Sequence, residues 1–329
     1  MKRRTLAALA ALCCAWRIPP ALAQPSANSS IPGKGFNIVN PFPPGSPVEF
    51  VGRLVAHALE RHWPQQFAVV ESRSGAGGTL GANTVVRSEP TGATLLVSTA
   101  SPITVAAALY EKLPYDPARD LIPIWGVATP GQVVVVNKDL PVKTLAELVA
   151  YAKANPGKLS YASSGVGTVQ HFAGELFKAR TGAPLLHVPY RGGAPAATDL
   201  AGGHVHVMFD SLTNQLSNIQ TGKVRALAIL RAERDSKLTD VPTAAQAGVE
   251  GVEMQGWISV FAPGRTPPNV VRMLRETLTR IMAAPDIEAK LKETFGQAQP
   301  LTGQQLETMI AQDMKMYAEL VKTAGIPKQ

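Results

Sequence analysis

Residues 36–59 read FNIVNPFPPGSPVEFVGRLVAHAL, and this stretch indicates how the rest of the chain folds. The short apolar run Phe36–Asn40 predicts a strand, and the proline- and glycine-rich residues after it predict a turn. Pro47 suits the first position of a helix, and apolar residues then recur at three-and-four spacing. The stretch therefore predicts a strand, an open turn and an amphipathic helix.

The same unit recurs along most of the chain. Glycine-rich turns at 74–78 and 163–167 each follow a predicted strand and precede a predicted helix. Thr144 and Glu147 form a capping box, which predicts a helix over Thr144–Ala154. Strands that alternate with helices are typical of parallel sheets with crossover connections. The sequence therefore predicts an α/β fold.

Two groups of predicted strands, Phe36–Thr99 and Val133–Leu230, indicate two lobes. After a further strand at Val252–Phe261 only helices are predicted, and we expect them to pack on the first lobe. The chain would then cross between the lobes twice, near 122–130 and near 250–258. The expected domains are a signal peptide at 1–23, a first lobe at 24–127 plus 254–329, and a second lobe at 128–253.

The N-terminal segment has the features of an export signal. Met1–Arg4 is basic, Thr5–Trp16 is apolar, and the small residues of Ala21–Ala23 predict cleavage after Ala23. The apolar run is too short to span a bilayer. Arg3 and Arg4 suggest twin-arginine export, but the rest of that motif is poor, so the general secretory route is favoured. We expect a periplasmic protein.

Composition and charge exclude several classes of protein. The 329 residues are 45% hydrophobic and 17% charged, which argues against a disordered chain. The net charge of +8 falls by half when residues 1–23 are removed, because Lys2, Arg3, Arg4 and Arg17 are lost. The remaining charge is scattered, so no nucleic-acid partner is expected. Both cysteines also lie in this segment, which is compatible with an exported protein without disulfides.

Three strand-to-helix turns, at 43–46, 75–79 and 163–168, are rich in glycine and hydroxyl residues. In parallel sheets, ligands bind beyond the carboxyl ends of the strands, where helix N-termini favour anions. Glycine lets backbone amides approach a ligand, and serine and threonine add hydroxyl groups. The turns therefore indicate a polar anion site with few charged side chains, although each could also be a tight connection alone.

Other chemistries are weakly supported. The turn Gly75–Gly81 could serve a nucleotide-dependent enzyme, but its glycine spacing departs from the dinucleotide fingerprint and no ribose-binding acid follows. His204 and His206 are predicted on one face of a strand, without a third metal ligand. His171 could face an anion or cap its turn. We find no catalytic constellation, and we expect no enzyme activity, metal or cofactor.

Several motifs occur in a fixed order. They are PFPPGS at 41–46, GAGGTLGA at 75–82, YASSGVGT at 161–168 followed by His171, HVPYRG at 187–192, DLAGG at 199–203, MFD at 208–210, GKVRALA at 222–228 and PTA at 242–244. With this ordered set, the chain resembles the Bug family of periplasmic receptors, which serve tripartite tricarboxylate transporters.

The resemblance implies a type II-like periplasmic binding protein. Each of its two lobes would be a mainly parallel sheet flanked by helices, with hinge strands between them. It also implies a monomer that captures a small organic acid or acidic amino acid for the membrane subunits of a tripartite transporter.

By position, the resemblance implies ligand contacts at Phe42, Pro44, Gly45 and Ser46 on one side of the cleft and Ser163, Ser164, Gly165 and Thr168 on the other. It places Gly77, Gly78, His171 and Asp210 along the cleft. Arg191 suits an anion clamp by its chemistry.

The first loop departs from the family pattern at two positions. Ser46 stands where the family usually has a second glycine, and Glu49 stands where it usually has an aspartate. Both residues are expected at the ligand site. The longer side chains would alter the usual ligand geometry, so a different acid is compatible with the sequence.

Overall fold

The computed structural model describes residues 35–129, 131–254, 256–296, 298–323 and 325–329. The strands are β1 Gly35–Asn40, β2 Phe67–Ser72, β3 Thr94–Ser98, β4 Leu121–Thr129, β5 Gln132–Asn137, β6 Ser160–Ser163, β7 Leu186–Pro189, β8 Val207–Ser211, β9 Val224–Ile229, β10 Gly256–Pro263 and β11 Gln299–Leu301. The helices are α1 Pro47–His62, α2 Thr79–Val86, α3 Ala106–Leu109, α4 Pro117–Asp120, α5 Leu145–Ala154, α6 Val169–Thr181, α7 Gly193–Ala201, α8 Leu212–Gln220, α9 Pro268–Met282, α10 Pro285–Phe295 and α11 Gly303–Thr323. The proposed signal peptide lies outside the described residues.

Local signals in the sequence account for the starts of two helices, α1 and α5. Ser46 caps α1, since its Oγ accepts a hydrogen bond from the Glu49 amide at 3.2 Å, and Pro47 occupies the first helical position. Thr144 caps α5 in the same way, through the Glu147 amide at 3.1 Å. The capping residue fixes where each helix begins.

The strands form two sheets, which we call the first and second lobe together with the helices that pack on them. The first sheet has the order β11-β4-β10-β3-β1-β2, and the second has the order β7-β6-β8-β5-β9. The predicted two-lobed α/β fold is therefore confirmed.

The strand pairing is mixed rather than mainly parallel. β1 pairs with β2 and β3 in parallel, and β6 pairs with β7 and β8 in parallel. β10 runs antiparallel to β3 and β4, and β5 runs antiparallel to β8 and β9. The chain enters the second sheet on β5 and returns to the first on β10, so no helical crossover sets the direction of these two strands.

The C-terminal part of the chain returns to the first sheet. Helices α9 and α11 pack against β4 of that sheet, as the sequence predicts. The prediction that only helices follow β10 is wrong, because β11 adds an edge strand through residues Gln299–Leu301. This strand has only three residues, too few for a period to show in the sequence.

The His204 and His206 prediction is also wrong in one respect. Both residues precede β8, which begins at Val207, so they do not lie on a strand face with Met208 and Asp210. His206 Nδ1 instead accepts a hydrogen bond from the Ser160 amide at 3.2 Å. The chain bends through 202–206 to enter β8.

The apolar core continues from one lobe into the other. One cluster of buried side chains contains members of both sheets and of α11. Phe172 of α6 packs edge-on against Tyr317 of α11, with ring centroids 4.8 Å apart. In the described part of the chain, no helix combines the length and apolar character that a membrane span requires.

Candidate functional site

A cavity of about 330 Å³ lies between the loops of the two lobes. Its lining comes from the loop between β1 and α1, the segment 99–101 after β3, and the start of β10 in the first lobe. The second lobe contributes the start of β5 and the first residues of α6, α7 and α8. The cavity is thus bounded by both halves of the fold.

The N-terminal ends of four helices line this cavity. Ser46 caps α1, Val169 opens α6, Gly192 precedes α7, and Ser211 caps α8. The first amide groups of a helix have no partner within the helix, and the helix dipole places about half a positive charge at this end. Together they create a positive potential that favours an anionic group.

No charged side chain supplements these helix ends. Among the described residues, the cavity lining contains no Lys, Arg, His, Asp or Glu. Polar atoms come from serine, threonine, glutamine and asparagine side chains and from the backbone. The arrangement can therefore hold an anion through neutral dipoles.

The β1–α1 loop is fixed from behind by two polar side chains. Asn40 Nδ2 donates to the Phe42 carbonyl at 2.9 Å, and Asn40 Oδ1 accepts from the Phe42 amide at 3.2 Å. The Glu49 carboxylate accepts from the Gly45 amide and pairs with Arg53. The hydrogen bond from Gly45 holds the pKa of Glu49 below its ordinary value. Glu49 therefore shapes the loop without lining the cavity.

The β6–α6 loop bonds mainly to itself and its own lobe. Thr168 Oγ1 donates to the Gly165 carbonyl at 2.7 Å and caps α6 by accepting from the His171 amide at 3.3 Å. Ser163 Oγ lies 2.7 Å from His187 Nε2. These hydroxyl groups form hydrogen bonds within the second lobe. Of the loop residues 164–168, only Ser164 lines the cavity.

Two histidines stack beneath the β6–α6 loop. The His171 and His187 rings lie 4.3 Å apart, and His171 Nδ1 accepts a hydrogen bond from the Gly167 amide at 3.3 Å. Burial lowers the pKa of His187 to about 4, and burial also lowers the pKa of His171. Both imidazoles are therefore neutral at pH 7, and His171 acts as an acceptor for its turn.

Asp210 lies fully buried behind the cavity. It accepts hydrogen bonds from Gln170 at 3.3 Å and Asn214 at 3.2 Å, two residues that line the cavity. Gln215 Nε2 and the Ser211 amide donate to it at 2.7 and 2.8 Å. Burial raises the pKa of Asp210 despite these donors. Asp210 thus positions Gln170 and Asn214.

The two lobes touch at points beside the cavity. A β-carbon on Gly77 would lie 2.8 Å from the Val166 carbonyl oxygen, and one on Gly192 would lie 2.8 Å from Pro43 Cγ. The Val169 amide of the second lobe donates to Ser101 Oγ of the first lobe at 3.0 Å. Glycine permits this close approach, because any other side chain would meet the opposite lobe.

One wall of the cavity is apolar. It is formed by Val48, Trp257, Ile258 and Phe295 of the first lobe, each of which is almost fully buried. Trp257 Nε1 donates to Asp313 of α11 at 2.7 Å, which fixes the indole against the first lobe. The apolar wall suits the carbon skeleton of a ligand.

The structure brings only part of the expected ligand set to the cavity. Phe42, Pro44, Gly45, Ser46 and Ser164 line it. The remaining expected residues lie outside the lining: Glu49, Gly77, Gly78, Ser163, Gly165, Thr168, His171, Arg191 and Asp210. Arg191 is exposed, one residue before the N-cap of α7.

The lining side chains that sequence reasoning missed include Gln132, Gln170, Asn214, Trp257 and Phe295. Gln170 and Asn214 lie two and three residues after helix N-caps. Their positions at predicted helix starts could therefore have indicated that they lie at the ligand site. Gln132 directly follows the first crossover. Trp257 and Phe295 carry no local signal, because their place depends on the return of the chain to the first sheet.

The turn Gly75–Gly81 does not face the cavity. Its residues 76–78 form a short 3₁₀ turn, and Gly77 packs against the backbone of the other lobe. With this contact in place, a phosphate group has no access to the backbone of Gly77. In the described ranges, no cluster of three or more His, Cys, Asp or Glu is placed to hold a metal ion.

Two lobes with mixed sheets, joined by crossing strands around a cavity, define a solute-binding protein of the periplasmic type. The chain belongs to the tripartite tricarboxylate transporter receptor family, whose family model matches residues 51–326.

Solved structures of relatives agree with this assignment. The periplasmic binding protein BugD is 34% identical, with a TM-score of 0.83 over 91% of this chain and 100% of its own. Rpa4515 of R. palustris, solved with adipate, is 33% identical, with a TM-score of 0.83 over 91% and 100%. MatC of Rhodopseudomonas palustris, solved with malate, is 29% identical, with a TM-score of 0.81 over 88% and 99%. The Bug-family resemblance is confirmed.

Proposed function

We propose that this protein captures a small carboxylate-containing solute in the periplasm and delivers it to the membrane subunits of a tripartite tricarboxylate-type transporter. One observation carries the proposal: four helix N-termini line a cavity that has no charged side chain among the described residues. This arrangement favours an anion over a neutral or cationic solute. The adipate and malate found with two relatives have the same chemistry.

The carboxylate contacts come from two sides. On the first lobe, Gly45 and Ser46 line the cavity at the start of α1, where Ser46 offers a hydroxyl; the Gly45 amide is already bonded to Glu49. On the second lobe, Ser164 and the first turns of α7 and α8 face the same space. Gly77, Gly165, Thr168, His171 and Asp210 support these contacts from outside the lining. Arg191 has no part in holding the ligand in this arrangement.

Ligand capture also requires the lobes to separate and close. The lobes move as units formed by residues 24–127 with 254–329 and by residues 128–253, bending at the two crossovers. Such hinge closure around a ligand is common in two-lobed binding proteins. The protein acts as a monomer, and residues 1–23 direct its export through the general secretory route and are cleaved after Ala23.

A thermal-shift screen tests this function. The protein without residues 1–23 is heated with mono-, di- and tricarboxylates, acidic amino acids and nucleotides. A ligand at a hundred times its Kd adds about 2.7 kcal/mol to the free energy of unfolding, so at least one carboxylate should raise Tm by several degrees. A shift with nucleotides but with no carboxylate would contradict the proposal and favour a nucleotide-dependent enzyme.

A further inference from the structure

The β1–α1 loop has few donors left for a ligand carboxylate. The Phe42 amide already donates to Asn40 Oδ1, and the Gly45 amide donates to the carboxylate of Glu49. The prolines of the loop have no amide hydrogen: they are Pro43, Pro44 and Pro47. Ser46 is therefore the residue within 42–47 that can still donate, and its hydroxyl hydrogen is available because Ser46 Oγ only accepts bonds from the protein.

Glu49 also places a negative charge behind this loop. Its side chain is mostly buried, and its pKa lies below the ordinary value because the Gly45 amide donates to it, so the carboxylate is charged at pH 7. Its partner Arg53 is 69% exposed and does not line the cavity. A ligand carboxylate at the β1–α1 loop would therefore meet a like charge and find few donors.

The second lobe, by contrast, keeps donors at the start of α7. The N-cap of α7 is Gly192, so no side chain caps this helix, whereas a serine or threonine caps each of the other three helices that begin at the cavity. A β-carbon on Gly193 would lie 3.3 Å from Ser164 Oγ and 3.2 Å from Asn214 Nδ2. A hydroxyl group and an amide group thus lie beside the uncapped helix end. Together these groups can pair with one carboxylate.

The remaining accessible lining is largely apolar, and its polar members are neutral. Phe42 and Pro47 are half-buried, and Pro44 and Pro195 are exposed, so a ligand can reach their carbon atoms. Among the described residues, no Lys, Arg or His lines the cavity. A second carboxylate would therefore lose its hydration without gaining a counter-charge, which costs free energy. An alkyl chain or an aromatic ring would instead gain free energy by leaving water.

We propose that the cavity selects an acid with a single carboxylate on an apolar chain or ring. The proposal rests on the carboxylate-receptor function above and adds the chemical class of the ligand. The carboxylate lies at the start of α7 and receives the Ser46 hydroxyl from the first lobe, while the apolar part lies against Phe42 and the prolines. Glu49 determines this specificity, because it occupies the Gly45 amide and carries the charge that a second carboxylate would meet. Adipate and malate, found with two relatives, are dicarboxylates, so this chain should differ from those proteins.

The test uses pairs of acids that differ by one carboxylate. Butyrate and succinate, hexanoate and adipate, and benzoate and terephthalate are titrated by calorimetry into the protein without residues 1–23, together with the tightest-binding acid of the thermal screen. In at least one pair, the wild type should bind the monocarboxylate about tenfold or more tightly than the dicarboxylate. Monomethyl adipate, which is as long as adipate but carries one charge, should bind more tightly than adipate.

A substitution of Glu49 and a matched control test the source of the preference. Glu49→Ala frees the Gly45 amide and removes the charge, so it should narrow the preference about threefold or more. Glu147 of α5 accepts from the Lys143 amide four residues earlier, as Glu49 does from Gly45, and it lies outside the cavity lining. Glu147→Ala should keep the preference. If Glu49→Ala weakened both acids of a pair alike, Glu49 would only hold the loop, and its assigned role would be wrong.

The binding results also distinguish the two proposals. If each dicarboxylate binds as tightly as its monocarboxylate partner, or if the tightest-binding acid of the screen has two or more carboxylates, this inference is wrong and the receptor function stands. Should Glu49→Ala fail to fold, the wild-type pairs and monomethyl adipate decide the inference. If no carboxylate binds in calorimetry or in the thermal screen, the receptor function fails, and this inference falls with it.

Discussion

The β1–α1 loop and the β6–α6 loop both join a strand to a helix through glycine and hydroxyl residues, yet they present different atoms to the cavity. The first loop lines the cavity with Phe42, Pro44, Gly45 and Ser46. From the second loop, only Ser164 does so. The two loops thus have similar composition and different surroundings.

The second loop serves the contact between the lobes. Its Val166 carbonyl lies against Gly77, and a β-carbon on its Gly167 would lie 2.6 Å from the Tyr110 ring of the first lobe. Its hydroxyl groups bond within the second lobe. A glycine- and serine-rich turn at a strand end can therefore hold a ligand or hold another part of the protein. The partners of its amides and hydroxyls decide which.

The largest effect is expected at Asp210, which supports the second-lobe side of the cavity. Asp210→Leu leaves the donors of Gln170, Asn214, Gln215 and the Ser211 backbone without their acceptor. The free energy of unfolding should fall by about 3 kcal/mol, and carboxylate binding should weaken because Gln170 and Asn214 are released. Urea unfolding, followed by circular dichroism, measures the free energy of unfolding, and calorimetry measures the affinity for the carboxylate.

The control for Asp210 is Asp139→Leu at an exposed aspartate. That change should alter the free energy of unfolding by less than about 0.5 kcal/mol. If Asp210→Leu behaved like this control, the second lobe would not depend on the Asp210 network.

Gly77→Ala tests the contact between Gly77 and the β6–α6 loop. The new β-carbon would lie 2.8 Å from the Val166 carbonyl, and Gly77 has a φ of +63°. Gly222→Ala is a matched control, with a φ of +68° and nothing within 4 Å of the β-carbon. Both should lose about 1 kcal/mol of stability, but only Gly77→Ala should also bind carboxylate about tenfold more weakly. Equal affinities in calorimetry would show that this contact does not assist ligand capture.

Ser46→Ala and Thr168→Ala compare the two loops directly, because both residues cap a helix. Each loses a cap bond of similar length, 3.2 Å for Ser46 and 3.3 Å for Thr168, which costs about 1 kcal/mol of stability. Thr168→Ala should lose somewhat more, because it also removes the hydrogen bond to the Gly165 carbonyl. Ser46 lines the cavity, so only Ser46→Ala should also weaken carboxylate binding, by roughly tenfold. Comparable losses of affinity in the two variants would place Thr168 at the ligand after all.

A pH-dependent effect is expected at the base of the β6–α6 loop. Burial lowers the pKa of His187 in the folded protein to about 4, against 6.5 for an exposed histidine. Between pH 6.5 and 4 the unfolded chain therefore binds a proton that the folded protein does not, so stability falls as the pH falls. His187→Gln removes this group and should make stability less dependent on pH across that window. Urea unfolding of the wild type and the variant at pH 7 and pH 4.5 measures this dependence. If the stability of the variant depended on pH as strongly as that of the wild type, the burial of His187 would be contradicted.

Much of the fold could be predicted from the sequence, since alternating strands and helices, capping residues and glycine-rich turns are local signals. The direction of β10 and the existence of β11 could not, because both depend on the return of the chain from the second lobe. These two strands pair with segments more than a hundred residues away.

The site was less predictable than the fold, for the same reason. Ser163 and Thr168 have the hydroxyl groups expected of ligand contacts, but His187 and Gly165 use them. Gln132 and Trp257 belong to strands that flank the crossovers, and only the assembled lobes bring them to one cavity. Residue type indicates which groups could bind, whereas tertiary partners determine which remain free.

The most direct test of the central claim compares a carboxylate with its own neutral amide. The tightest-binding acid from the thermal screen and its primary amide are titrated by calorimetry into the protein without residues 1–23. Helix N-termini that hold an anion should bind the acid at least about a hundredfold more tightly, since charge-assisted hydrogen bonds are lost in the amide. Equal affinity for the two compounds would contradict recognition of a carboxylate at these helix ends.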